Sequence, residues 1–384
     1  MRKYITVILI TVFVGVLATP FHSIAKNEAS TTPILNNGKK WRIGYYEGGS
    51  YVNYPVNLRT VVDGLVELGW IEPVKIPEVS DGSDSKLVWN YLVQNAPSDY
   101  LEFVAGAYWS AQWSEEKRTL IKEEIIQRLN NQKDIDFMIA MGTWPGQDLS
   151  NDRHNTPTIA VSVSDPVRSG MSATAENSGL DHFHAKCDPN RYIRQLRLFH
   201  RLAKFNKLGI VYENTPEGRS YAALDDIYNV AKERNFSVIT CEAPISQVGK
   251  DVMIKGVIQC HQKLAKQVDA VFVTVHPGVT KSHMKELIAP FLEYKIPSWS
   301  QRGPEEVKAG ILFSIARGGF KAVGLYHAEV MARIFNGEKP GDINQIFEDP
   351  RLIAVNKKVA GMIEFDIPET ILQITDETYD TIEN

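Results

Sequence analysis

From Trp41 onward, short apolar, β-branched runs alternate with longer amphipathic stretches, the pattern of parallel strands joined by crossover helices. The runs predict strands at 42–46, 101–106, 136–141, 157–163, 207–212, 236–241, 269–275, 296–299 and 310–315. The stretches between them predict helices at 55–68, 115–131, 189–204, 219–234, 251–267 and 320–336. Most of these strands are apolar without alternation, so both faces of their sheets are covered. The fold class that follows is α/β: two doubly wound parallel-sheet lobes. The segment 164–170 is turn-rich, with a proline that restricts its predecessor and a glycine that permits unusual dihedrals, and it reads as a hinge. Further crossings at 301–304 and 339–342 make the hinge multi-stranded and each lobe discontinuous. Lobe 1 is then 41–164 with 303–341, and lobe 2 is 165–302 with 342–384, the C-terminal tail crossing the hinge.

The first 25 residues change the picture most. Arg2 and Lys3 precede an uninterrupted weakly polar to apolar run from Tyr4 to Ala18, and Ser23-Ile24-Ala25 gives a small-x-small cleavage pattern. This reads as a secretory signal followed by a polar linker at 26–40. The alternative, an uncleaved anchor, needs about 20 apolar residues to cross the hydrocarbon layer. With no cysteine near the cleavage point, a lipid anchor is not indicated, so a soluble mature chain in the periplasm or another extracytoplasmic space is expected. ATP- or NAD-dependent catabolism is not expected there.

Removing Arg2 and Lys3 with that segment takes the net charge from −4 to −6. A mildly acidic chain without a basic block argues against nucleic acid and anionic membrane surfaces as partners. Three cysteines cannot all pair; a Cys241–Cys260 disulfide is open to an exported chain, and sequence leaves it open. His182, His184 and Cys187 could ligate a metal, but no fourth ligand is evident, and no metal or cofactor is expected.

IGYYEGG, DGLVELGW, IDFMIAMGTWPGQ, PTIAVSVSDPVRSG, KLGIVYENTPEGRS, VDAVFVTV, KIPSWS, AGILFSIARGGFKAVGLYHAEVMARIFNGEKPGDI and LIAVNKKVAGMIEFDIP follow one another in order across 41–375. In that order and spacing the chain resembles the periplasmic substrate-binding proteins of ABC importers, in their tryptophan/tyrosine-type branch with the type I binding-protein fold. Two departures stand out. His276-Pro277-Gly278 replaces an Asp-Asn pair, and Glu176-Asn177-Ser178-Gly179-Leu180 replaces Gly-Asn-x-Thr-Gly. An insert at 80–100, with Trp109 and Trp113 after it, exceeds the family's usual length. The resemblance implies a small ligand, an amino acid or a similar aromatic or zwitterionic molecule, and an ABC permease as partner, with the binding protein a monomer.

Ligands of doubly wound sheets bind beyond the carboxyl ends of the strands. There, Tyr46 and Tyr51 offer stacking surfaces, the alternative being a plain turn with surface tyrosines. Thr143 and Trp144 open a helix whose free N–H groups suit an anion; Trp144, just past a strand end, is read as facing the cleft, the alternative being a core position. Ser164 and Asp165 leave the first lobe, Asp165 either receiving a ligand ammonium or capping its own turn. Asn214, Arg219 and Ser220 follow a second-lobe strand. His276 is a cleft hydrogen-bonder or a satisfied wall histidine. Arg317, expected behind the last first-lobe strand, suits a ligand carboxylate or an interlobe ion pair.

No G-x-S-x-G elbow, H-E-x-x-H or Walker loop is present. The expectation is an exported solute-binding protein rather than an enzyme, with a sensory module for a membrane receptor or kinase as the alternative and an exported enzyme as a third.

Overall fold

The computed structural model describes residues 30–76, 84–317, 320–348 and 351–383, with the backbone alone for Ala316 and Arg317. The signal segment at 1–25, the start of the linker and the start of the insert lie outside these. Among the described residues no helix is long and apolar enough to cross a membrane.

The first lobe runs β1 (Trp41–Glu47), α1 (Asn53–Glu67), α2 (Ser85–Asn95), β2 (Leu101–Ser110), α3 (Glu115–Gln127), β3 (Phe137–Met141), α4 (Thr143–Leu149), β4 (Thr158–Val161) and β5 (Phe183–Ala185). Its sheet has the order β2-β1-β3-β4-β5, all parallel. β1 sits inside this sheet, and its residues from Ile43 to Glu47 are all buried, which explains why WRIGYYE carries no alternation.

The chain then builds α5 (Arg191–Ala203), β6 (Lys207–Tyr212), α6 (Pro216–Tyr221), α7 (Leu224–Arg234), β7 (Ser237–Glu242), α8 (Lys250–Leu264), β8 (Ala270–Val273), α9 (Met284–Glu293), β9 (Ser298–Ser300), α10 (Pro304–Lys308) and β10 (Phe313–Arg317). α11 (Lys321–Phe335), β11 (Arg351–Asn356), α12 (Lys357–Met362), α13 (Glu369–Leu372) and β12 (Glu377–Tyr379) complete it. The second sheet has the order β12-β11-β10-β9-β8-β6-β7, with β11 antiparallel to β10.

Two expected boundaries need correction. β10, assigned to lobe 1 from sequence, pairs with β9 and β11 in the second sheet. α11 returns to the first lobe's core, where its Ala328, Met331 and Phe335 pack. That docking is close: a Cβ on Gly324 would lie 2.3 Å from the Thr60 carbonyl oxygen of α1. Nor does the chain leave the first lobe at 164–170. That turn stays in the lobe, Met171 packs with Val163 and Phe183, and β5 adds a fifth strand before the crossing. At the crossing, Cys187 bridges Ile346 in parallel, its N–H donating to the Gln345 carbonyl at 2.8 Å.

The helix expected over 219–234 is two helices, because Ala223 takes a left-handed conformation (φ 52°) between α6 and α7. Thr215 caps α6, its hydroxyl accepting from the Gly218 N–H at 3.0 Å. The question left open for the cysteines is answered by proximity: Cys241 at the end of β7 and Cys260 on α8 are disulfide-bonded, and Cys187 is free and buried.

The lobes touch through apolar side chains. Tyr221, Ile245 and Met253 of the second lobe are buried in the same hydrophobic cluster as the first-lobe core. Polar contacts accompany them: the Gln247 N–H donates to the Trp113 carbonyl at 3.2 Å, and Arg168 reaches Asp226 at 2.6 Å.

Candidate functional site

Where the two lobes face each other, a pocket is lined by Tyr51, Asn53, Ser162, Val163, Ser164, Arg191, Tyr192, Val275, Arg302 and Phe320. Ser162–Ser164 follow β4, Val275 follows β8 and Arg302 follows β9, so the pocket lies at carboxyl ends of strands from both sheets, where doubly wound proteins hold ligands.

The turn after β1 sets the first wall. Gly48 and Gly49 meet Trp113: a Cβ on Gly49 would lie 2.5 Å from the indole, whose Nε1 donates to the Ser50 carbonyl at 3.1 Å. This packing brings the chain round to Tyr51 and Asn53 at the head of α1. Tyr51 meets Tyr54 edge-on, with ring centroids 5.2 Å apart. Tyr54 in turn needs Gly142, at φ +100°, because any Cβ there would fall 2.0 Å from its hydroxyl oxygen.

The second wall centres on Arg302. Its Nη1 pairs with Glu306 at 2.9 Å, and Glu306 also accepts from the Ser300 hydroxyl at 2.5 Å. Its Nη2 donates across the cleft to Asn53 Oδ1 at 3.1 Å, while Asn53 Nδ2 donates to the Tyr51 hydroxyl at 3.2 Å. Cζ stands 5.7 Å over the Tyr51 ring. The Nε is buried and has no partner among the described residues. Burial works against the guanidinium's charge, but Glu306 outweighs it and holds the pKa above the ordinary value, so Arg302 is a cation at any working pH. Val275 is fixed by its N–H donating to Gln301 Oε1 at 2.8 Å, and Gln301 Nε2 donates to the Tyr221 carbonyl at 2.9 Å.

Of the residues expected from sequence, Tyr51 and Ser164 line this pocket. Tyr46 and Trp144 are instead buried in the first-lobe core. The Tyr46 hydroxyl donates to Asp148 at 3.0 Å, Arg118 pairs with the same carboxylate at 3.0 Å, and that guanidinium lies 4.8 Å over Trp144. Thr143 is buried at the head of α4. Asp165 caps its own turn, accepting from the Arg168 N–H at 3.0 Å, which is the alternative that sequence left open. Asn214 and Arg219 are exposed and bond each other at 3.4 Å, away from the pocket. Ser220 is buried, its hydroxyl without a partner among the described residues.

His276 is the wall histidine: its Nε2 meets the Ala243 carbonyl at 3.3 Å, and its Nδ1 accepts from the Gly278 N–H at 2.9 Å. Burial pushes its pKa down to about 4, so it is neutral at physiological pH. Arg317 ends β10 in the second sheet rather than behind a first-lobe strand, and its side chain lies outside what is described. For the metal reading, His182 meets His154 edge-on, with ring centroids 4.6 Å apart, and the His184 ring meets the Tyr326 hydroxyl at 3.2 Å. No cluster able to hold a metal ion occurs among the described residues.

Sequence reasoning missed Asn53, Ser162, Val163, Arg191, Tyr192, Val275, Arg302 and Phe320. For Arg302 a signal was present: it lies two residues past the KIPSWS run, beyond the carboxyl end of a strand.

The family described as ABC transporter substrate binding protein matches residues 108–379, more than two thirds of the chain. The chain belongs to this family. A tyrosine-binding protein of Clostridioides difficile (strain R20291) is 26% identical over 224 residues, 58% of this chain and 61% of that one. The chain thus matches less than two thirds of that relative's length. Among solved structures, an ABC domain in complex with L-Trp from Streptococcus pneumonia superposes with a TM-score of 0.68 at 17% identity, covering 88% of this chain and all of that one. The ligand-free, open structure of a substrate-binding protein with adhesive properties from Clostridium difficile gives 0.59 at 19% identity, covering 89% of this chain and all of that one. These likenesses place this binding protein in the type I periplasmic binding-protein fold.

Proposed function

We propose that this substrate-binding protein is exported, captures an amino acid or a related small aromatic compound between its lobes, and delivers it to an ABC permease. The observation that carries the reading is the pocket built from both lobes, with Tyr51, Tyr192 and Phe320 as aromatic walls and Arg302 as a fixed cation. Contacts from both sides exist together only when the lobes are closed. A ligand making them binds that state better and shifts the population toward it, and hinge closure of periplasmic binding proteins is a known instance of such a movement. A permease can then distinguish loaded from empty protein. The names of two relatives, one tyrosine-binding and one complexed with L-Trp, support the ligand class. The leader-like N-terminus and the Cys241–Cys260 disulfide support an extracytoplasmic location.

In this account the protein binds and releases its ligand unchanged, as a monomer. Isothermal titration calorimetry with L-tyrosine, L-tryptophan and L-phenylalanine tests it. Saturable heat with a one-to-one stoichiometry is expected for at least one of them, weakened roughly tenfold or more by Tyr51→Ala, since aromatic contacts of this kind are worth about 1–3 kcal/mol. Absence of heat with all three, together with strong binding of a sugar, would overturn the ligand class.

A further inference from the structure

Resting on the interlobe pocket as the ligand site, we propose that the feature of the ligand it recognises is a carboxylate, and that it therefore accepts aromatic carboxylic acids that carry no α-ammonium. Two arginines, Arg191 and Arg302, line the pocket, and no Asp or Glu does so among the described lining residues. Three acids close to the lining residues in sequence already have partners. Asp165 bonds the Arg168 N–H, Asp188 pairs with Arg194 at 2.8 Å, and Glu306 is held by Arg302 Nη1 and the Ser300 hydroxyl. A ligand carboxylate in this pocket meets the guanidinium donors of Arg302, whereas among the described residues no carboxylate lines it to receive a ligand ammonium.

The guanidinium is presented in a way that suits two oxygens. Nε and Nη2 form the side edge of the fork that grips carboxylates elsewhere in this molecule: Arg42 uses these same two nitrogens on Asp136, at 2.9 and 2.8 Å. In Arg302 the Nη1 corner belongs to Glu306, the Nη2 touches only the neutral Asn53 amide from the opposite lobe, and the Nε is buried without a partner among the described residues. A carboxylate on this edge gives Nε its missing acceptor and strengthens the bond at Nη2. Glu306 and Ser300 hold the guanidinium in place and act as positioning residues. Tyr51 beneath the Cζ is placed to hold an aromatic body beside the carboxylate.

A matched ligand series on the full mature protein tests this without altering it: L-tyrosine and L-tryptophan, their deaminated acids 3-(4-hydroxyphenyl)propionate and indole-3-propionate, and their decarboxylated amines tyramine and tryptamine. Calorimetry is expected to show the acids binding within about tenfold of the amino acids and the amines at least roughly thirtyfold weaker, the scale of losing a charge-assisted pair. The double variant Arg302→Gln/Glu306→Gln removes both buried charges together, so no carboxylate is left unpaired, and its thermal melt reports that it folds. It is expected to lose acids and amino acids alike by a similar factor. If the amino acids bind while the acids do not, or the amines bind as tightly, this inference is overturned and the pocket reading stands. Unchanged affinity in a folded double variant overturns the role of Arg302. If no compound of the three series binds, both readings fall.

Discussion

Glu47 shows how a single buried residue of the first lobe carries a measurable consequence. It ends β1, is buried, and accepts from the hydroxyls of Tyr45 and Tyr108, each at 2.9 Å. Burial outweighs these bonds and raises its pKa from 4.5 to about 6. Because the folded value lies above the unfolded one, the protonated carboxyl favours folding. This contribution is fully present below about pH 4.5 and disappears as the pH rises through about 6. It amounts to ~2 kcal/mol for a shift of that size. Urea melts of the wild type and Glu47→Gln, compared between pH 4.5 and 7, are expected to show the wild type losing about that much relative to the variant as pH rises. Parallel pH profiles would show that Glu47 titrates as an ordinary surface carboxylate. At this scale the sequence was only partly readable. Tyr51 and Ser164 could be found because they lie just past strand ends. Position past a strand end does not give side-chain direction, and so Tyr46 and Trp144, which point into the core, looked equally good. Asn214 and Arg219 satisfy each other at the surface, a pairing that needs coordinates to see. Arg302 sits in a Gly-Pro turn that reads as a crossover, and its partner Asn53 is 249 residues away in sequence.

At the scale of elements, the nine apolar runs all became strands; β1, β3, β4 and β8 are buried along most or all of their length, which leaves an unbroken apolar signal, while the edge strands β2 and β7 are only partly covered. Those that escaped were short or irregular. β5 and β12 have three residues each, and β11 opens on an exposed arginine. The break at Ala223 has no proline or glycine to announce it. β10 was placed in the wrong lobe for a different reason: periodicity says that a strand exists, while its neighbours are decided by packing. The covalent tie between β7 and α8 has a direct test. A disulfide closing a loop of this size stabilises by roughly 2–4 kcal/mol, mostly by restricting the unfolded chain. Reduction with dithiothreitol, or the double variant Cys241→Ser/Cys260→Ser, is expected to lower the melting temperature by several degrees. Cys187→Ser is expected to leave the reductant-sensitive step in place. A melting temperature indifferent to reductant would mean that the two thiols are not joined.

For the whole molecule, the decisive property is that two sheets present carboxyl ends of their strands to one another across a narrow gap. Family membership accounts for the arrangement, and the side chains in the gap account for the chemistry. The Arg302–Asn53, Arg168–Asp226 and Gln247–Trp113 bonds and the shared burial of Tyr221, Ile245 and Met253 are among the contacts that separating the lobes must break, so this arrangement is already favoured by groups outside the ligand. A ligand adds to them only what it gains from both walls at once. The measurement that bears on this most directly is a crystal structure of the protein with its tightest-binding aromatic acid or amino acid. The account predicts the ligand enclosed between the lobes, its ring against Tyr51 and its carboxylate within hydrogen-bonding distance of Arg302 Nε and Nη2. A ligand bound on the outside of either lobe, or enclosed with its carboxylate directed away from Arg302, would contradict it.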